Sequence, residues 1–305
     1  MTSPGVLHTY APGLVAFEHL PSEDKKSCHK LLFVGGLGDG LFTVPFIEHL
    51  RTLDGWGVIE VLTSSSFTGW GTGSVKRDAT EIAKAVEYFR GSHPESKLVL
   101  MGHSTGSQDT FQYLLNASTG SAPRLDGAIL QSSVSDREAI VMGASKTEYL
   151  TSINFSESWI KDGRGKEIIP AEMRPGFEGT PVCAERWYSL AAPLDDEGNP
   201  QGAEDFFSSD LNDATLKETF GKLPTDTPLM VLYGGKDQYI PEFVDKEALV
   251  GRWRAVKEAA GGKLEGGIVE GATHNLAGVP KEVMEGFVER VQSFLKGLSG
   301  EGKEE

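Results

Sequence analysis

The chain has 305 residues, of which 39% are hydrophobic and 24% charged, with a formal net charge of -15. That balance excludes a wholly disordered chain and allows a sizeable core, while the surplus of carboxylates disfavours nucleic-acid phosphates and anionic membranes. No run of roughly eighteen apolar residues is present, so no membrane span is expected, and Cys28 and Cys183 lie too far apart for a CxxC metal or disulfide motif.

Residues 1–10 contain no basic segment leading into an apolar run, and Lys303-Glu304-Glu305 is not a peroxisomal tripeptide, so a cytoplasmic protein is expected. Short apolar runs then alternate with helical patterns, which predicts an α/β fold with a mostly parallel central sheet covered on both faces. The predicted strands are 13–19, 30–34, 58–63, 97–101, 126–131, 228–233 and 264–269. Helices are predicted over 78–90, with Asp78 as N-cap, over 108–115, and over 280–298, where Val283, Phe287, Val291 and Phe294 form one stripe. Residues 135–226 break the rhythm. They are rich in Gly, Pro, Asp and Glu yet carry many aromatic residues, and they read as a cap inserted into a core of 1–134 and 227–298, with 299–305 as a frayed tail.

The run Lys97-Leu-Val-Leu-Met101 leads into Gly102-His103-Ser104-Thr105-Gly106 and then a helical pattern. This is the G-x-S-x-G elbow in its meaningful context of strand, sharp turn and helix, and it assigns the α/β-hydrolase fold. A serine hydroxyl is a weak nucleophile until a base takes its proton, so it must project from a strained turn that flanking glycines relieve. In this fold the acid and the histidine follow in that order. Asp237 lies just past the strand 228–233, in Gly234-Gly-Lys-Asp-Gln238, and His274 is the only histidine between the last strand and the last helix. Asp136, just after the strand 126–131, is the rival acid. His103 is adjacent to the nucleophile, so its side chain points away and it reads as a packing residue.

The oxyanion-hole donors are expected to be the N–H of Thr105 and that of Leu37, with Gly38 the neighbouring alternative, in the loop Gly35-Gly-Leu-Gly-Asp-Gly40. That loop lacks both the Gly-Lys-Ser/Thr ending and the G-x-G-x-x-G spacing of nucleotide-binding loops. From the cap, Trp159, Arg174, Arg186, Trp187 and Tyr188 are candidates to line the pocket.

The segments Gly102-His-Ser-Thr-Gly-Ser-Gln-Asp109, Phe33-Val-Gly-Gly-Leu-Gly-Asp-Gly40 and Tyr233-Gly-Gly-Lys-Asp-Gln238 resemble the fungal siderophore esterases of the fusarinine C hydrolase type. The resemblance implies that Ser104, Asp237 and His274 form the catalytic triad. It also implies a small-molecule substrate: the ester bonds between hydroxamate units of fusarinine C or its triacetylated form, cut inside the cell to release iron. The iron would arrive with the substrate, so no metal ligands and no cofactor are expected of the protein. Spacing alone stops at acyl transfer to water, which leaves a general carboxylesterase or thioesterase open. A catalytically silent hydrolase fold that only binds ligand is the alternative of another class.

Overall fold

A computed structural model describes residues 3–20 and 28–299. Among them, strands β1 (Gly5–Ala11), β2 (Leu14–His19), β3 (His29–Val34), β4 (Trp56–Val61), β5 (Leu98–His103), β6 (Gly127–Gln131), β7 (Leu229–Gly234) and β8 (Leu264–Val269) form one sheet. Its order is β1-β2-β4-β3-β5-β6-β7-β8. From β4 to β8 every pairing is parallel, while β1 and β2 add antiparallel at one edge. This is the sheet of an α/β-hydrolase, as the alternation of apolar runs and helices predicts.

The continuous apolar runs make sense because both faces are covered, and the side chains still alternate between two cores. Leu32, Val34, Leu98 and Leu100 face helices α2 (Val75–Ser92), α3 (Thr105–Ser118) and α8 (Lys246–Ala259). Leu31, Phe33, Val99 and Met101 face α1 (Ile47–Leu50) and α9 (Lys281–Ser299). Met284, Phe287, Val291 and Phe294 are the buried stripe of α9. The expected tail lies outside the described residues from 300 onward, and Ser299 closes α9.

Several boundaries move. Helix α2 starts before Asp78, because the Ser74 hydroxyl caps it by accepting from the Arg77 N–H at 3.2 Å. Asp78 therefore sits inside the first turn, fully buried, and is not the cap. Strand β5 runs on to His103, which puts the nucleophile at its very tip. Edge strand β1 carries a half-exposed sequence without a continuous apolar run, and so escaped the pattern.

Between β6 and β7 lie α4 (Asp136–Gly143), α5 (Lys146–Lys161), α6 (Ala184–Ala191) and α7 (Asp213–Glu218). The aromatic residues of this insert have two destinations. Trp187, Tyr149, Ile153, Val182 and Leu190 make a core of their own with Ile140 and Trp70. Phe206, Phe207 and Phe220 instead join the main core, against Phe111 of α3 and Trp253 of α8. The Phe220 and Trp253 rings stack 12° from coplanar at 5.1 Å.

Candidate active site

The elbow forms where β5 meets α3. Ser104 has φ 54° and ψ -126°, a left-handed strain that costs on the order of 1–3 kcal/mol and persists only where the surroundings enforce it. Here they do. A Cβ on Gly102 would lie 2.0 Å from the Gly106 carbonyl oxygen, and one on Gly106 would lie 2.3 Å from that of Val34. The Ser104 N–H donates to the Gln131 carbonyl at 3.0 Å, which ties the turn to the end of β6.

The loop after β3 presses on the nucleophile. A Cβ on Gly36 would come 2.6 Å from Ser104 Cβ and 3.1 Å from Ser104 Oγ. Gly36 lets the chain pass the serine itself, whereas a Cβ on Gly35 would meet Asp39 and one on Gly40 would meet Phe67. Asp39 fastens the loop from within: its carboxylate accepts from the Gly36 N–H at 2.8 Å and from the Thr43 hydroxyl at 2.9 Å. Gly38, at φ 83°, makes the turn between Leu37 and Asp39. The N–H groups of Leu37 and Thr105 have no acceptor among the described residues, Thr105 being the first residue of α3.

Asp237 and His274 leave the ends of β7 and β8. The Asp237 carboxylate accepts from His274 Nδ1 at 2.8 Å and from the Tyr239 N–H at 3.0 Å, and both side chains are buried. Two residues unmarked in the sequence hold the histidine loop. The Gln131 amide at 3.0 Å and the Ser132 hydroxyl at 2.8 Å both donate to the His274 carbonyl, and the His274 N–H donates to Gln238 Oε1 at 3.2 Å. Gln131 is the last residue of β6, and polar residues closing a buried strand were the available signal. The imidazole lies between the Tyr239 ring, edge-on at 4.7 Å, and the His103 ring at 4.8 Å.

Ser104 and His274 line one cavity of about 380 Å³. The Ser104 hydroxyl has no hydrogen-bond partner among the described residues. His103 also lines the cavity, but its Nδ1 bonds Gln131 Oε1 at 2.5 Å. Burial first, then the neighbouring His274, pushes its pKa down to about 4, so it is a neutral packing ring.

Asp136 is not the partner of His274. Its carboxylate accepts from the Gln108 amide on α3 and borders the cavity at the first turn of α4. Of the expected cap residues, none lines this cavity. Trp187 fills the insert core, with its indole N–H on Ser152 Oγ at 3.0 Å. Arg186 is buried in an ion pair with Glu204. Arg174 spends its guanidinium on the carbonyls of Ile169 and Glu178. Trp159 lies under the Arg164 guanidinium at 3.7 Å, and the Tyr188 hydroxyl donates to Gln201 at 2.8 Å. Large aromatic and cationic side chains were used to hold the insert together. The insert residues that do reach the cavity are smaller or apolar, among them Ala139, Ile140, Gly143 and Phe177.

Comparison with known proteins agrees with this architecture. An esterase of Emericella nidulans is 37% identical over 355 residues, which cover 98% of this chain and 94% of the relative. The fusarinine C esterase sidJ of Aspergillus fumigatus is 35% identical over 345 residues, 97% of this chain and 96% of the relative. Among solved structures, the siderophore hydrolase EstB from Aspergillus fumigatus matches with a TM-score of 0.83 at 33% identity, over 97% of this chain and 98% of that one. A carboxyl esterase from Bacillus coagulans matches with a TM-score of 0.65 at 14% identity, over 98% and 99% of the two chains, a likeness of fold alone. The profile of a family described as a protein of unknown function, DUF1749, matches residues 1–296, and the chain belongs to that family.

Proposed function

We propose that the chain is a serine hydrolase that cleaves ester bonds, with Ser104 as nucleophile, His274 as base and Asp237 as the acid behind it. One observation carries the reading: Asp237 holds His274 Nδ1 at 2.8 Å while the same imidazole and Ser104 border one cavity. With Nδ1–H committed to the carboxylate, Nε2 is left as the basic nitrogen. The Ser104 hydroxyl, without a partner among the described residues, bonds Nε2 once an ester enters, since catalytic hydrogen bonds often form fully only with substrate in place.

His274 Nε2 takes the Ser104 proton as Oγ attacks the ester carbonyl. The oxyanion that forms is met by the free N–H groups of Leu37 and Thr105, the latter at the positive end of α3. Collapse of the tetrahedral intermediate expels the alcohol, which takes the proton back from His274. Water then attacks the acyl-serine by the same route and releases the acid. Asp237 fixes the tautomer and stabilises the imidazolium throughout.

The substrate we propose is a hydroxamate siderophore of the fusarinine C type, on the support of the two named relatives that act on siderophores. The insert between β6 and β7 would cap the site, with α4 and the loop around Phe177 forming the roof. We place the reaction in the cytoplasm. Among the described residues no helix is long and apolar enough to cross a membrane.

The test has two parts. A fluorophosphonate probe should label the protein, and Ser104→Ala should abolish that labelling. The purified protein should also convert fusarinine C to linear and monomeric fusarinine, followed by mass spectrometry. Turnover of p-nitrophenyl esters with fusarinine C untouched would leave a general esterase. Absence of labelling would point to a silent ligand-binding fold.

A further inference from the structure

The charge of the cavity is one-sided. Among the residues lining it there is no lysine or arginine, but two carboxyl groups, Asp39 and Asp136, border it together with the rings of Tyr239 and Phe177. The two carboxyls differ in what they are free to do. Asp39 is consumed by the oxyanion loop, with one oxygen on the Gly36 N–H and the other on the Thr43 hydroxyl. Asp136 has one oxygen held by the Gln108 amide and no other hydrogen bond among the described residues. Its flanking residues Ser135 and Arg137 are buried, yet Asp136 itself keeps partial exposure, and the space beside it is the cavity.

The placement belongs to the helix. Asp136, Ala139, Ile140 and Gly143 all line the cavity, a spacing of i, i+3, i+4 and i+7 that turns one face of α4 to the site. Small and apolar residues on that face leave the carboxyl as its one charged group. Around it, Arg186 is the single cation that acts on it appreciably, against the carboxylates of Glu204 and Asp205. Burial first, with those two charges adding to it and Arg186 and Gln108 opposing, pushes the Asp136 pKa up to about 7. Too little positive charge stands beside this carboxylate to offset its desolvation, and an ammonium seated on the free oxygen would supply that charge, while the aromatic faces lining the same cavity favour an ammonium over a hydrated metal ion.

We infer that Asp136 is a specificity-determining residue that selects esters carrying a primary ammonium group, with the ammonium seated on its free oxygen between Tyr239 and Phe177. This rests on the proposed serine-esterase reaction at Ser104, and it adds the charge class of the substrate. Neutral N-acylated counterparts would leave the carboxyl without a partner and would bind more weakly.

The experiment compares p-nitrophenyl ε-aminocaproate with its N-acetyl derivative, which differ in the charge but not in the reacting ester. Wild-type kcat/KM should favour the ammonium ester by about tenfold or more, mainly through KM, as expected for a hydrogen bond to a charged group. In Asp136→Asn that ratio should fall towards one. An unchanged ratio in a variant that still takes up the fluorophosphonate, or a wild-type ratio at or below one, overturns the inference. Should the variant fail to fold, competition in the wild type decides: hexylammonium should inhibit hydrolysis of the neutral ester better than hexanol, and equal or weaker inhibition overturns it. A wild-type protein that cleaves neither ester and takes up no probe would instead overturn the esterase reading itself.

Discussion

Alanine at Gly36 isolates the geometry of the nucleophile from its chemistry. The added Cβ would stand 2.6 Å from Ser104 Cβ, about 0.8 Å inside the 3.4 Å at which ordinary contact begins. It would also meet the His103 carbonyl oxygen at 3.1 Å, so the loop cannot slide freely aside. Gly36 has no left-handed φ, hence the clash alone is tested. Relief must move either the serine or the oxyanion loop that carries Leu37 by most of that distance. Misplacement of about 1 Å at a reacting group costs on the order of 10²-fold, whereas overpacking costs about 1–3 kcal/mol of stability. The assay is kcat for p-nitrophenyl acetate together with the rate of fluorophosphonate labelling and Tm. A folded Gly36→Ala protein should lose about a hundredfold in both rates. Wild-type rates at wild-type Tm would refute the idea that this close approach sets the position of Ser104. Gly251→Ala on α8, where a Cβ meets nothing within 4 Å, is the matched control and should gain about 0.5–1 kcal/mol in stability.

Asp237→Asn should keep the fold but present the wrong imidazole tautomer, lowering kcat by about 10⁴ while KM changes little, as read in steady-state assays. Arg186→Met removes the cation shared by the carboxyls of Glu204, Asp109, Asp78 and Asp136 and should cost about 3–5 kcal/mol in urea unfolding, less in acid, where those carboxyls can take up protons. Burial raises Asp78 to about 6 and Asp136 to about 7, from an ordinary 3.8. The folded state thus keeps protons that the unfolded chain has released, so this part of stability is present at low pH and falls as pH rises from about 4 to about 7. Tm measured across that window should drop less in an Asp78→Asn, Asp136→Asn double variant than in the wild type.

The catalytic edge was legible because each of its parts is local. Strand, elbow and helix are contiguous around Ser104, and Asp237 and His274 each follow a strand of unambiguous apolar character. The pocket wall was not legible, because large aromatic and cationic residues in the insert suggest ligand contact and packing equally well. Trp187 and Arg186 went to packing and to internal charge pairing. A periodic reading of residues 136–143 would have found the α4 face, whose spacing resembles that of any amphipathic helix and whose small side chains carry no chemical label. Gln131 and Ser132 were invisible for a further reason: they serve the site through the backbone of His274, remote in sequence and adjacent only once β6 and β8 are in register beside β7.

The split loyalty of the insert bears on how such a protein could change its ligand. The stretch through α6 keeps its own apolar interior, and exchanging it would disturb Trp70 and little else of the scaffold's greasy lining. The stretch from Phe206 to Phe220 is masonry of the main body, and removing it would strip Phe111 and Trp253 to water. A transplant designed to alter selectivity should therefore end its cut before Glu204, which also braces the start of α2 through the Val75 N–H.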